Sequence, residues 1–466
     1  MATLSALFDP QLLRRYDVPG PRYTSYPTAP QFSAGFGEAQ LREVAAASNG
    51  DPIPRPISLY LHIPFCTSPC FYCGCNRIIT RDKTRGEAYL TRLYREIALA
   101  SSMFDRDREV EQVHFGGGTP NFLDPEQITE VVDVLRRHFS FARDGRMDCS
   151  IELDPRFITP AEVGQLGQAG FNRASLGVQD FDPVVQEAVN RIQGVEQTLG
   201  IIQACREHGF RSVNVDLIYG LPKQTLEGFA RTLDITLEAR PDRLAIYGYA
   251  HLPNLFKPQH RIHAEDLPSP EAKLDLLRLA IDKLGQAGYE YIGMDHFALP
   301  GDELARAQRE GGLHRNFMGY TTHAESDLVG LGVSAISHIG ASFSQNPRDL
   351  PSWEMAIDAG RLPVWRGMYM DEDDVIRADL IQALMCHGAL DCRAFEQRHM
   401  IDFGAYFSES LARLKPLQDD GLVELDEGGL RATSRGRLLL RIIAMCFDRY
   451  LTPAADSAQP RYSRTV

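Results

Sequence analysis

Cys66-Thr-Ser-Pro-Cys70-Phe-Tyr-Cys73-Gly-Cys75 places four cysteines within ten residues. The run follows Ile57-Ser-Leu-Tyr-Leu-His-Ile-Pro64, whose alternating residues suit a pleated strand that Pro64 ends. The cysteines therefore sit on a loop at the C-terminal end of a strand. Thiolates at i, i+4 and i+7 can converge on one inorganic centre only if the loop curls around it. Such ligands select soft centres, zinc or iron–sulfur. A closed structural zinc site takes four ligands, usually as two separated pairs, and here would need Cys75 as the fourth. A [4Fe–4S] cluster held by Cys66, Cys70 and Cys73 instead keeps one iron without a protein ligand, open to a substrate. Three packing cysteines in a loop is the remaining reading.

Composition narrows the setting. At 466 residues the chain is too long for one ordinary core, so two domains are expected. A hydrophobic share of 44% suits a soluble globular protein. A net charge of −13 argues against nucleic acid or an anionic membrane as a general partner. Nine cysteines in a chain of this size are not a secreted disulfide framework. The first ten residues lack a basic segment and a full apolar segment, so no signal peptide is expected. No run is long and apolar enough to span a membrane. A reduced cytoplasm fits these features.

Along the chain, residues 1–55 show little regular pattern, and the proline-rich Pro19–Pro30 stretch reads as an extended arm. From about 56 to 300 one phrase recurs: a short apolar strand, a loop, then an amphipathic helix. Strands are predicted near 111–115, 150–154, 174–179, 212–218 and 243–248 after the first at 57–63. Helix signals separate them, among them Asp124-Pro125, the Thr159-Pro160 and Glu162 capping box, and Asp182-Pro183. This alternation predicts an α/β fold with a parallel sheet, wound into a full or partial barrel. Active sites then lie at the strands' C-terminal ends, where the cysteine loop is. Residues 301–360 read as a connecting segment that closes the active site. Residues 361–466 read as a mainly helical, winged-helix-like domain with a hairpin near 421–433 and a helix over 434–450.

Other residues fall at the same strand ends. Gly116-Gly-Gly-Thr-Pro120 lets backbone groups approach a ligand closely and lacks the Lys-Ser/Thr ending of a phosphate loop. Glu152, Gln179, Arg191 and Asp216 follow the third to fifth strands, where carboxylates can accept from hydroxyl or ammonium groups and Arg can clamp a carboxylate. Arg156 reads as a partner of Asp154. The histidines offer no second metal site, and the other five cysteines read as packing residues.

With these residues in place, the chain resembles the oxygen-independent coproporphyrinogen III oxidases, or coproporphyrinogen III dehydrogenases, radical S-adenosylmethionine enzymes of haem biosynthesis. The likeness covers nearly the whole length. It rests on Gly20-Pro-Arg-Tyr-Thr-Ser-Tyr-Pro-Thr-Ala29, the cysteine loop, the Gly-Gly-Gly-Thr-Pro run, Gly177-Val-Gln-Asp-Phe181 and Asp216-Leu-Ile-Tyr-Gly-Leu-Pro-Lys-Gln-Thr225. Tyr249-Ala-His-Leu-Pro253, Gly293-Met-Asp-His-Phe-Ala298 and His314-Arg-Asn-Phe317 extend it. The resemblance implies a partial (β/α)6 TIM-like radical S-adenosylmethionine barrel in which Cys66, Cys70 and Cys73 hold a [4Fe–4S] cluster. It implies one S-adenosylmethionine near Tyr60, Gly117, Glu152 and Ile336. A second would lie near Tyr72, Gly118, Thr119, Gln179, Arg191, Asp216 and Ala250. Tyr60 and Glu152 would join the cysteines in the catalytic set. Two propionates of coproporphyrinogen III would become vinyl groups, giving protoporphyrinogen IX, with a low-potential donor such as flavodoxin or ferredoxin and a monomeric enzyme.

Two features bear on the alternatives. A related haem-chaperone family shares the cysteine loop but usually has Phe where Cys75 stands and lacks the N-terminal arm. Met318 stands where the oxidase family usually has Gln, and a thioether cannot donate as an amide can. A substrate with four carboxylates requires cations, for which Arg22 and Arg315 are candidates, with Phe317 beside them. A nucleic-acid role for the C-terminal domain is opposed by the net charge.

Overall fold

Six strands realise the recurring phrase: β1 (Ile57–Ile63), β2 (Glu109–Gly117), β3 (Asp148–Leu153), β4 (Arg173–Gln179), β5 (Ser212–Tyr219) and β6 (Arg243–Gly248). In this computed structural model, which describes residues 8–143, 145, 147–426, 428–451 and 462–465, each strand pairs parallel with the next. Residues 1–7, part of the stretch on which the expectation of no leader rests, lie outside the described residues. Helices connect the strands: α1 (Thr84–Ser101), α2 (Pro125–His138), α3 (Pro160–Ala169), α4 (Pro183–Ala188), α5 (Val195–Glu207) and α6 (Leu226–Glu238). Their starts follow the expected side-chain chemistry. Asp124 accepts from the Gln127 N–H, and Thr159 and Glu162 form a reciprocal capping box. Gly170 ends α3 at φ 109°, a conformation that favours glycine.

The strand period sorts the side chains. Leu59, Leu61, Ile63, Val113, Phe115, Ile151, Val213, Val215 and Leu217 are all fully buried. Tyr60, His114, Glu152, Ser175 and Asp216 occupy the alternate positions, the opposite face. A sheet with one apolar face and one polar face must cover the first with helices and can leave the second to line a site.

The sheet also extends beyond β1. β7 (Asp327–Leu331) pairs parallel with β1, setting Tyr60 opposite Gly330. β8 (Ile336–Ile339), β9 (Ser342–Gln345) and β10 (Arg366–Tyr369) continue it as antiparallel neighbours. The reading of 301–360 as one connecting segment is therefore corrected: Glu325–Tyr369 joins Gln31–Ser269 in one compact unit. Asp327-Leu-Val-Gly-Leu331 is buried at every position, so it carries no alternation to read as a half-buried strand.

Glu96 ties α1 to the end of β7. Its carboxylate accepts from the Gly332 N–H at 2.8 Å, the Asn346 amide at 2.7 Å and the Trp353 indole at 3.1 Å. Burial nevertheless raises its pKa to about 7. A carboxyl whose folded pKa lies above its unfolded value of 4.5 stabilises the fold fully at low pH and loses that contribution as pH rises towards 7. Thermal unfolding from pH 5 to 8 should show stability falling by up to about 1.4 kcal/mol per pH unit below pH 7 from this group. Glu96→Gln should flatten that slope, and an unchanged slope would contradict the assignment.

The second compact unit comprises the described residues of Met1–Pro30, Pro270–Ala324 and Met370–Val466. Its core gathers Leu13, Leu274, Leu380, Leu384, Phe407, Leu414, Ile443 and Phe447. Helix Pro270–Gln286 contributes Leu274 to that core, so the expected boundary at 300 is displaced to 269/270. The hairpin is present as Val423–Asp426 and Gly429–Ala432, with Ala389–Leu390 as a third strand. The helix expected over 434–450 shortens to Leu440–Met445 after a 3-10 turn. Asp448 instead accepts from the Tyr450 N–H and the Tyr23 hydroxyl, which holds the following chain in a turn. Two helices were not expected in residues 1–55: Pro10–Arg15, capped by Asp9, and Glu38–Asn49, which buries Leu41, Ala45 and Ser48. Among the described residues no helix is long and apolar enough to cross a membrane.

Candidate active site

The loop after β1 is held by its own Arg77 and by contacts from distant parts of its unit. The Arg77 guanidinium donates to the Cys73 and Cys70 carbonyls at 3.1 and 3.0 Å. The Asn190 amide donates to the Pro69 carbonyl at 2.6 Å, and the Phe71 N–H to the Val189 carbonyl at 3.0 Å. Phe71 and Tyr72 pack against the apolar cluster of Val185, Val189, Ile218 and Leu221. The loop thus takes one shape before any ligand is considered, as a preorganised ligand set requires.

Parallel register brings the glycine run beside it. Ile63 lies opposite Gly117, and the Gly118 N–H donates to the Ile63 carbonyl at 2.8 Å. Gly117 has φ 119°, and a Cβ there would lie 2.9 Å from the His62 ring and the Ile63 carbonyl. Glycine is needed at this position for both reasons.

One cavity is lined by Cys66, Cys70, Tyr72, Cys73, Gly117, Gly118, Thr119, Glu152, Gln179, Arg191 and Asp216. Eleven residues singled out along some 150 positions of sequence therefore face the same space. Gln179 follows an irregularity in the β4–β5 register and has φ 70°, a backbone strain of the kind that collects at functional sites. Tyr60 lies behind this lining. Its ring stacks on His114 with centroids 5.8 Å apart, and its hydroxyl meets His62 Nδ1 at 3.1 Å. Ile336 backs Gly330, the β7 neighbour of Tyr60. Ala250 is tied to Tyr72 through Gln259, whose amide donates to both carbonyls.

The electrostatics are uneven around the three thiols. Hydrogen bonding from Cys75, opposed by burial and aided by Arg77, lowers the pKa of Cys73. Burial raises Cys66 to about 11, although the Thr119 hydroxyl lies 3.3 Å from its sulfur. Arg191 and Arg156 approach Cys70 Sγ at 3.5 and 3.7 Å while both donate to Asp154. Asp154 is thus the partner of Arg156, as expected, and of Arg191 as well. Asp216 is raised to about 6 by burial and by the Glu152 carboxylate, with Asn214 and Ser175 donating to it.

This donor set fits a thiolate-bound cluster with a polar organic ligand beside it. Three cysteines of one preshaped loop face the cavity with a cationic pair at one of them. Arg191 Nε is buried without a hydrogen-bond partner, and it borders that cavity.

Several groups around the site were not singled out from sequence: Ser150, whose hydroxyl meets His114 Nδ1 at 2.6 Å, Ser175, Asn214 and Arg77. Three of them carry a legible signal, a polar residue at the inward alternate position of an otherwise apolar strand. Arg77 carries none, since its role depends on how the loop curls.

Arg22, Arg315 and Phe317 belong to the second unit. Arg22 is already paired with Asp295. Arg315 is buried over the Tyr320 ring at 4.8 Å, and its Nη1 has no hydrogen-bond partner. Phe317 and Met318 form the turn between His314–Asn316 and Gly319–Thr321, closed by the Met318 N–H donating to Asn316 Oδ1 at 2.8 Å.

Known proteins resemble the chain over nearly its whole length. Residues 60–235 match the radical SAM superfamily, and residues 370–439 match the HemN C-terminal domain. Oxygen-independent coproporphyrinogen III oxidase of Pseudomonas aeruginosa is 51% identical over 459 residues, covering 98% of this chain and 99% of that protein. The oxidase of Escherichia coli is 48% identical over 460 residues, covering 98% of each. A solved structure described as coproporphyrinogen III oxidase (HemN) from Escherichia coli, a radical SAM enzyme, superposes with a TM-score of 0.90 over 95% of this chain and 99% of that one. The haem-chaperone alternative is not favoured by these matches. The chain belongs to the oxygen-independent coproporphyrinogen III oxidases, a family of radical SAM enzymes.

Proposed function

We propose that this chain oxidatively decarboxylates two propionate side chains of coproporphyrinogen III to vinyl groups without oxygen, giving protoporphyrinogen IX and consuming two S-adenosylmethionine. The observation that carries this is the three-cysteine loop at the C-terminal end of β1, facing the polar wall of the sheet, in a chain that matches the oxidases over their full length. When bound, the cluster and S-adenosylmethionine would supply radical hydrogen abstraction at a propionate β-carbon, with 5′-deoxyadenosine as the by-product.

The chain's own residues bind, orient and exclude water. Cys66, Cys70 and Cys73 would hold the cluster, with Arg156 and Arg191 stabilising negative charge at Cys70. Glu152 holds the Gly117 N–H at 3.2 Å and presents its remaining acceptor capacity to the cavity. The backbone of Gly117 and Gly118 and the Tyr60, Tyr72, Thr119, Gln179, Asp216, Ala250 and Ile336 positions would complete the S-adenosylmethionine contacts. Arg315, with a buried unpartnered N–H, is the stronger candidate for a substrate carboxylate, because Asp295 already balances Arg22. A low-potential electron donor such as flavodoxin or ferredoxin, a cytoplasmic location and a monomeric state belong to the same reading.

Anaerobic incubation of the reconstituted protein with S-adenosylmethionine, dithionite and coproporphyrinogen III tests the reaction. Protoporphyrinogen IX should form in proportion to 5′-deoxyadenosine; cofactor cleavage with the porphyrinogen unchanged would overturn the assignment. Arg315→Ala should raise the KM for the porphyrinogen by roughly 10–100-fold, the worth of one charge-assisted hydrogen bond. Arg22→Ala should raise it less, and neither should change iron content. Unchanged kinetics in both variants would remove these residues from the substrate site.

A further inference from the structure

The proposed reaction needs electrons from outside the chain, and one surface behind the cysteine loop carries the charge to receive a donor. Just after Cys75 the sequence runs Arg77-Ile-Ile-Thr-Arg81-Asp-Lys83-Thr-Arg85, four cations against one acid in a chain of net charge −13. Arg348 adds a fifth cation across a groove lined by Arg77, Ile78, Arg85, Arg348 and Leu350. Arg81, Lys83, Arg85 and Arg348 are exposed, and Ile79 among them is 41% exposed. Among the described residues none of the five cations takes part in an ion pair. The two carboxylates that also line the groove are engaged elsewhere. Asp349 accepts from the Ser352 N–H at 2.9 Å, and Glu354 lies 3.5 Å from Arg92.

The groove is joined to the site by short contacts. Arg77 lines the groove and donates to the Cys70 and Cys73 carbonyls. Asn76 donates to the Arg348 carbonyl at 3.0 Å, and its own carbonyl meets His62 Nε2 at 2.9 Å. A partner seated here would rest against the backbone of the cysteine loop itself, without entering the cavity that holds the other ligands.

We propose that this groove docks a small acidic flavoprotein that reduces the iron–sulfur centre. The inference rests on the function proposed above. One electron leaves the reduced flavin and enters the protein's iron–sulfur centre, and no bond forms or breaks at the surface. The chemistry that fits is a ring of carboxylates around an exposed apolar flavin edge: the carboxylates meet Arg81, Arg85 and Arg348, and the flavin edge meets Ile78, Ile79 and Leu350. Charge of this kind governs encounter rate and salt dependence more than intrinsic rate.

The test compares the reconstituted holoenzyme with its Arg81→Glu/Arg85→Glu/Arg348→Glu variant, none of which lines the cavity of the site. An acidic bacterial flavodoxin is the probe. Binding measured by calorimetry should weaken at least about tenfold in the variant, as reversing several rim charges does at steered interfaces. Wild-type binding should also weaken as NaCl rises from about 50 to about 300 mM, over which screening shortens charge interactions, and the variant should lose that dependence. With flavodoxin as reductant, turnover should fall in step with binding; with dithionite, variant and wild type should agree within about twofold. Equal flavodoxin affinity in variant and wild type would overturn the docking surface. Loss of dithionite-driven turnover in the wild type would instead count against the proposed function, leaving the binding result to judge the groove by itself.

Discussion

Alanine at any one of Cys66, Cys70 or Cys73 should abolish the iron–sulfur chromophore and reduce substrate-dependent 5′-deoxyadenosine to background. Thiolate coordination is cooperative with the shape of the loop, so two remaining ligands on a curl built for three do not retain a cluster. The fold should survive, because the loop is anchored by Arg77, Asn190 and the packing of Phe71 and Tyr72 rather than by the thiols. Cys75→Ala supplies the contrast. Cys75 is exposed and touches Cys73 through its N–H at 3.4 Å. It should keep full iron content, which separates a three-ligand centre from one using all four cysteines. Iron and sulfide analysis with circular dichroism reads both results; a Cys75→Ala protein without iron, or a Cys70→Ala protein with wild-type iron, would contradict the ligand set.

Glu152→Ala should keep the cluster and lose S-adenosylmethionine. The carboxylate reaches the Gly117 N–H at 3.2 Å and faces His114 Nε2 at 3.4 Å, so it positions the glycine run as well as bordering the cavity. Removing a charged acceptor there costs roughly 10–100-fold in affinity. Glu152→Gln keeps an acceptor for Gly117 and removes the charge, so its loss should be smaller. The KM for S-adenosylmethionine, measured at constant iron content, distinguishes them. A wild-type KM in Glu152→Ala would exclude Glu152 from the cofactor site.

Much of this site could be read from the sequence because its chemistry sits at strand ends. Gly117, Glu152 and Gln179 lie at or near the C-terminal ends of their strands, Cys66 just past β1 and Asp216 midway along β5, and parallel pairing brings them to one side of the sheet. What remained hidden depends on contacts distant in sequence. Asn190 meets Pro69, and Gln259 meets Tyr72, across more than a hundred residues. The pairing of β7 with β1 brings Ile336 behind Tyr60, which no local pattern announces. Helix Glu38–Asn49 is rich in alanine and buries one side lightly, so its apolar period is faint. The two compact units are discontinuous in sequence, which is why boundaries placed at 300 and 360 did not find them.

Hydrogen should be taken from the propionate β-carbon of the porphyrinogen at the site built around the cysteine loop. Coproporphyrinogen III deuterated at the propionate β-positions tests it directly, with 5′-deoxyadenosine analysed by mass spectrometry under anaerobic turnover. The 5′-deoxyadenosine should be heavier by one deuterium and should form together with vinyl-bearing porphyrinogen. Unlabelled 5′-deoxyadenosine, or bound haem with no cofactor cleavage, would contradict it.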